Sequence, residues 1–543
     1  MKILLENQSF LELERLKYRP PVLNLLNNIK KLKPVIDSCE KNNTEDPSLC
    51  SEFPFLKEKP FIKFEKTESI SQYPCLQVGV VLSGGPAPGG HNVVIGLYEG
   101  LKKFNNNSKL FGFLNGPLGL VQNEYKELDV PFIYNYYNTG GFDMLSYSRE
   151  KISTWYQRHS VLKSVKKLNL DALLIIGGDD SNTNTAILAE FFAQNNIKTK
   201  VIGVPKTIDG DLKNKWIEIP FGFDTACKIY SEMISNLAFD SMSANKYVHV
   251  VRLMGQSTSH VTLECALQTQ PNIALISEEI SYKKKNLKTV SQEIAQLLHQ
   301  RMISKKNYGL LLFPEGLIEQ ISDTRCLIKE INSLLTYFSY NSEKLISALS
   351  SESLIAFNSL PKSIQSQILE KRDPHGNVKV SKIATEELII HAIQKELKTI
   401  NSDYKQIKFV PHFFGYEARS GYPSNFDANY GLALGIISSL LINHNLSGYM
   451  TVINNLSKDY SKWTGKAIPL FSMLHLSKRD GKLTPVIKKG FVDISSSSFQ
   501  YFKNNRKTWC LNNNYIFTGP IQFFGNEKLI NLKPKTLLLD HPL

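Results

Sequence analysis

The chain has few cysteines and no CxxC pair. Cys39, Cys50, Cys75, Cys227, Cys265, Cys326 and Cys510 are scattered over 543 residues. That spacing argues against a zinc site or a disulfide framework and fits a reducing compartment. Long hydrophobic runs are missing too. The longest, GLALGIISSLLI from Gly431 to Ile442, falls short of the roughly 20 apolar residues needed to span a bilayer. The N-terminal stretch MKILLENQSFLELERLKYRP carries Glu6, Glu12 and Glu14 among its apolar residues. It reads as a short amphipathic helix and not as a secretory signal. The expectation is a cytoplasmic protein without a membrane partner.

What is present is an ordinary globular composition, 42% apolar and 21% charged, in a chain long enough for two or more cores. The formal net charge of +14 calls for anionic partners. The basic patches LKKFNNNSKL, YKKKNL and VIKKGF lack interleaved aromatic platforms, so they read as solvated faces and not as a nucleic-acid surface. Phosphorylated small molecules account for the charge as well.

From Leu76 a regular rhythm begins. LQVGVVLSGG, KLFGFLNGP, DALLIIGG, TKVIGVP, KYVHVVRLMG, NIALISEEI and YGLLLFPEG read as continuous apolar strands, and stretches with the wider helical period separate them. That is the mark of parallel strands covered on both faces. The fold expected is α/β: two Rossmann-like three-layer domains with parallel-rich sheets, a helical insertion and an N-terminal extension. The boundaries expected are residues 1–70 for the extension, 71–245 and 246–460 for the two domains, about 320–400 for the insertion, and 461–543 for a C-terminal extension.

Polar, glycine-bearing loops follow the strands, where open sheets place their ligands. VLSGGPAPGGHN, Val81 to Asn92, is either a phosphate-binding nest or a tight strand-to-helix turn. Its spacing is neither GxGxxG nor GxxxxGK[ST]. In GGDDSNTN, Asp179 can ligate magnesium or simply cap a helix. In GVPKTIDGD, a carboxylate at Asp209 or Asp211 can take a proton from a substrate hydroxyl, and Lys206 offers a point charge for phosphate. A surface turn would suit the same residues. Glu315 and Arg419 could bind a sugar phosphate or form structural ion pairs, and Arg252, inside a strand, reads as structural.

Jointly, GVVLSGGPAPGGHN, NTGGFDMLSYSREKI, IIGGDDSNTN, GVPKTIDGDLKN, FGFDTACKIYSEMI, KYVHVVRLMGQ, LECALQTQPNI, PEGL, RDPHGNV and HFFGYEARSGYPSNFDA resemble the phosphofructokinase family, specifically its long, pyrophosphate-dependent branch. The resemblance implies that phosphoryl passes from pyrophosphate to the 1-hydroxyl of fructose 6-phosphate, reversibly and with magnesium. It assigns Asp209 as the base, flanked by Thr207 and Asp211, with Thr207, Ile208 and Asp209 among the substrate-binding positions and Asp179 at the magnesium site. Arg149 matches an arginine that stabilises the transferring group. Gly84, Gly85 and Lys206 match the diphosphate cradle. Lys246 and Tyr247 match positions that reach the sugar phosphate of a neighbouring subunit, which implies a homodimer with a shared substrate site. Met254, Gly255, Gln256, Glu315 and the run Tyr416, Glu417, Ala418, Arg419 match the sugar-phosphate pocket.

ATP-using members carry glycine at the positions of Asp180 and Lys206. A carboxylate at 180 repels a third phosphate: at about 4 Å, two like charges cost about 4 kcal/mol at an effective dielectric of 20. Lys206 supplies a cation suited to the shorter donor. Two departures, Gln256 for the family's arginine and Pro86 for its usual glutamine, motivate an alternative: a catalytically weak paralogue acting as a regulatory subunit. An ATP-dependent kinase is the other alternative.

Overall fold

A computed structural model of the chain describes residues 10–23, 27–41, 46–68, 72–338, 342–370, 372, 377–400, 405–479, 482–519, 525, 527–531 and 533–542. Four residues of the RDPHGNV motif, 373–376, lie outside the described residues.

Among the described residues the strands run in chain order as β1 (Leu32–Ile36), β2 (Ile62–Lys66), β3 (Gln77–Leu82), β4 (Lys109–Phe113), β5 (Tyr125–Glu127), β6 (Ala172–Gly177) and β7 (Lys200–Pro205). Then follow β8 (Tyr247–Leu253), β9 (Ile273–Ala274), β10 (Gly309–Pro314), β11 (Lys408–Phe414), β12 (Tyr449–Asn454), β13 (Thr464–Pro469), β14 (Leu474–Arg479) and β15 (Lys482–Ile487). Three helices matter below: α1 (Gly90–Phe104), α2 (Asp179–Gln194) and α3 (Asn425–Asn443).

Two compact units form. The first comprises Met1–Ala226, Glu417–Gly490 and Ile521–Leu543; the second comprises Cys227–Tyr416 and Phe491–Pro520. The sequence reading put its breaks at 245 and 460, whereas the units divide after Ala226 and Tyr416. A single long helix, Phe223–Ala244, runs through the first break, so the sequence rhythm carries no mark there. The C-terminal stretch is shared between the units.

The first unit holds a nine-stranded sheet in the order β1-β2-β13-β12-β7-β6-β3-β4-β5. Its centre is parallel, β12 to β4, and its outer pairs are antiparallel. Central strands buried on both faces must be apolar along their whole length; β6, ALLIIG, is buried at every position. The longest apolar run in the sequence proves to be α3, buried throughout. It packs backbone to backbone on α1. A Cβ added to Gly96 would lie 2.2 Å from Leu432 O, and one added to Gly435 would lie 2.1 Å from Val93 O. No described helix is long and apolar enough to cross a membrane. A separate hairpin, β14–β15, completes the unit.

The second unit is built on the parallel sheet β11-β8-β10-β9. Helices between Ser322 and Ile400 supply much of its apolar core, with Leu327, Ile331, Ile364 and Ile389; this is the helical insertion. Arg252 is structural, as expected: its Nε lies 2.7 Å from Glu386 Oε2, and its guanidinium stacks 4.0 Å over Phe413. NIALISEEI is a strand only at Ile273–Ala274; from Ser277 it is helix. In that helix Glu278 Oε1 accepts from the Ser259 and Val492 amides at 3.1 and 3.0 Å.

Candidate active site

Registers of the parallel strands fix the site of the first unit. Leu82 pairs with Ile176, and Gly177 with Pro205, so the loops after β3, β6 and β7 leave the sheet at one level. Gly84, at φ +76, occupies the left-handed region that glycine enters without penalty. Its N–H donates to Ser148 O at 2.9 Å, and Ser83 bridges Ser148. That pairing brings Arg149 beside the glycine loop. A Cβ on Gly84 would lie 3.3 Å from Lys206 Nζ. One on Gly85 would lie 3.2 Å from Arg419 Nη1 and 3.4 Å from Arg149 Nη2. Three cations therefore converge on two glycines, while Ser181 Oγ at the start of α2 donates to Ser83 Oγ at 2.7 Å.

Asp179, Asp209 and Asp211 lie within the field of Lys206. Asp179 and Asp180 open α2, where the helix dipole favours negative charge; Asp180 is exposed and Asp179 half-buried. The β7 exit carries Lys206, Thr207 and Ile208, all buried, and then Asp209 and the buried Asp211. The Thr207 hydroxyl accepts from the Asp209 N–H at 3.0 Å and hydrogen-bonds the Asp211 carboxylate. Burial raises both carboxyls, Asp211 to about 7, with Asp179 and Asp209 adding like charge to Asp211. For Asp209, Arg419, Lys489 and Lys206 pull the other way. Burial and the neighbouring Arg419 lower Lys206 to about 8.

One cation was missed in the sequence. Lys489 Nζ lies 3.4 Å from Asp179 Oδ2 and 3.8 Å from Asp211 Oδ2. By composition VIKKGF reads as a solvated face, and Lys488 is exposed, but Lys489 turns inward. Successive residues of an extended strand point to opposite faces, so a lysine pair ending a strand was the available signal.

Among the described residues no three His, Cys, Asp or Glu side chains form a cage that could hold a metal unaided. Magnesium needs no cage, since it binds through one or two carboxylates together with substrate phosphates and water. Asp179 and Asp211 already share one ammonium, so their oxygens suit that ion.

In the second unit the strand ends also align: Leu253 pairs with both Pro314 and Phe414. Met254, Gly255 and Gln256 follow β8, Glu315 follows β10, and Tyr416 stands just beyond β11. Met254 and Glu315 are buried, Gln256 and Tyr416 exposed. A Cβ on Gly316 would lie 1.9 Å from Gln256 O, so the loops after β8 and β10 are in close contact. Lys246 is exposed, with its ammonium 5.1 Å from the Tyr247 ring centroid. Glu417, Ala418 and Arg419 belong to the first unit; Glu417 is exposed and Ala418 buried.

A parallel α/β core carrying a glycine loop, a cation cluster and paired aspartates defines a phosphoryl-transfer class of site. A sequence model of the family described as "Phosphofructokinase" matches residues 77–441, and the chain belongs to that family. It is 42% identical over 545 residues to the pyrophosphate–fructose 6-phosphate 1-phosphotransferase of Porphyromonas gingivalis, covering 98% of this chain and 99% of the relative. It is 46% identical over 464 residues to subunit beta 2 of the Arabidopsis thaliana protein of that name, covering 85% and 82%. A solved pyrophosphate-dependent phosphofructokinase from Marinobacter aquaeolei shares the fold at TM-score 0.52 and 14% identity, over 80% of this chain and 91% of that one.

Proposed function

We infer that the protein transfers phosphoryl from pyrophosphate to the 1-hydroxyl of fructose 6-phosphate, giving fructose 1,6-bisphosphate and phosphate. The observation that carries this reading is the convergence of Lys206, Arg149 and Arg419 on Gly84 and Gly85, facing Asp179, Asp209 and Asp211. The relatives' names supply the substrates. Asp209 takes the proton of the attacking hydroxyl, and its raised pKa brings it towards the range where a base is most effective at neutral pH. Lys206, Arg149 and Arg419 hold the donor's oxygens in line and bear the charge that spreads over them during transfer. Asp179 and Asp211 would hold magnesium, which supplies charge neutralisation at the donor. Met254, Gly255, Gln256, Glu315 and the Tyr416–Arg419 run bind the sugar phosphate, with Thr207 and Ile208 shaping the base. Lys246 and Tyr247 serve the partner subunit's site in a homodimer. Asp180 keeps out a third phosphate.

The test is an assay of the purified chain alone, with magnesium, fructose 6-phosphate and either donor. Turnover with pyrophosphate and none of consequence with ATP is expected, a preference of about three decades from one uncompensated like-charge contact. Turnover only after a partner subunit is added would refute the reading of this chain as the catalytic one.

A further inference from the structure

The hairpin β14–β15 delivers its exit into the donor site and is fastened there. The Ile487 N–H donates to Thr183 Oγ1 at 3.0 Å, and the Thr183 hydroxyl itself donates to Asp179 O at 2.9 Å. The Lys488 N–H donates to Met473 O at 2.8 Å, and the Gly490 N–H donates to Asp211 O at 2.7 Å. A Cβ on Gly490 would lie 1.8 Å from Lys213 O, so backbone is pressed against backbone. Lys489 lies between these anchors, its side chain 35% exposed and that of Asp211 9% exposed. An ordinary surface ion pair has no such backbone fixture. Here a remote segment is tied to both aspartate-bearing loops, and the side chain so placed is a cation.

We propose that Lys489 is a further donor-site residue, a tethered ammonium that balances Asp179 and Asp211 in the resting protein, yields them to the magnesium ion and then contacts the arriving pyrophosphate. The inference rests on the donor reading above. A divalent ion attracts a carboxylate pair more strongly than one ammonium does. Once displaced, the ammonium is held by its backbone within reach of the same pocket. Asp209 stays within its field, and the polyanionic donor brings the larger negative charge. The hairpin thereby couples metal entry to donor capture.

The experiment compares full-length wild type, Lys489→Met and Lys489→Arg without fructose 6-phosphate, so that no turnover is involved. Manganese, titrated by paramagnetic resonance without donor, is expected to bind Lys489→Met roughly tenfold more tightly, since no ammonium competes. Pyrophosphate, titrated calorimetrically with saturating magnesium, should bind it roughly tenfold more weakly, the loss of one charge-assisted contact. Lys489→Arg should stay near wild type in both, which a merely structural role would not require. Should Lys489→Met fail to fold, Lys489→Gln reads out the same two affinities. Unchanged manganese and pyrophosphate affinities in a folded variant overturn the inference. Wild type that binds no pyrophosphate overturns the donor reading along with it.

Discussion

At the scale of single residues, the donor site sets opposing charges in a poorly solvated place, and that dictates how each substitution reads out. Asp209→Ala removes the base without opening the core; kcat should fall by about two to four decades while the melting temperature stays close to wild type. Lys206 gives a pH signature. It is a base whose pKa falls to about 8 because of burial and the neighbouring Arg419, so its charge is full below pH 8 and lost above it. kcat/KM for pyrophosphate should therefore fall as pH rises through about 8, and Lys206→Arg should move that fall to higher pH. The Asp180→Gly, Lys206→Gly double variant should gain activity with ATP and lose it with pyrophosphate; an unaltered donor ratio would refute the exclusion argument. Most of these residues were legible because they sit within a few positions of glycines at strand ends. Lys489 was not, since its contacts lie on loops about three hundred positions earlier in the chain, and local pattern carries no record of such partners.

Helices and strands obey a different control, packing. Gly435→Ala places a Cβ 2.1 Å from Val93 O, and overpacking of that kind costs about 1–3 kcal/mol, measurable as a lower denaturation midpoint. The α1–α3 contact was invisible in the sequence because a glycine is silent about what approaches it. The run GLALGIISSLLI showed only that its helix would be buried. Asp427, near the start of α3, accepts from the Gly222 and Thr225 amides at 2.9 and 2.8 Å. Burial, and then Asp224, raise its pKa to about 7. An acid raised on folding binds its proton more tightly in the folded state, so its contribution is present below about pH 4 and lost as pH rises to about 7. Thermal stability should decline across that window, and Asp427→Asn should flatten the slope even if its overall level is lower. The parallel strands were legible because burial on both faces forces unbroken apolar runs. NIALISEEI misled because a short apolar run does not distinguish strand from helix.

For the whole molecule, the α/β class followed from the alternation of elements, while the assignment of segments to units did not. Strand order depends on which edges meet, and nothing local to β12 or β13 says that they close a sheet begun some four hundred residues earlier. That connectivity also governs the order of events during synthesis. Translation finishes β7 long before its neighbour β12 exists, and residues 227–416 must leave the ribosome in between. Through that interval the flank of β7 that β12 will cover stands open, the kind of unpaired edge that recruits wrong partners. Asp179, Asp209 and Asp211 are in place by then, with Arg419 and Lys489 still to come. A nascent chain paused before residue 417 is thus a half-built sheet whose rim aspartates have Lys206 beside them but still lack Arg419 and Lys489, a natural client for a holdase.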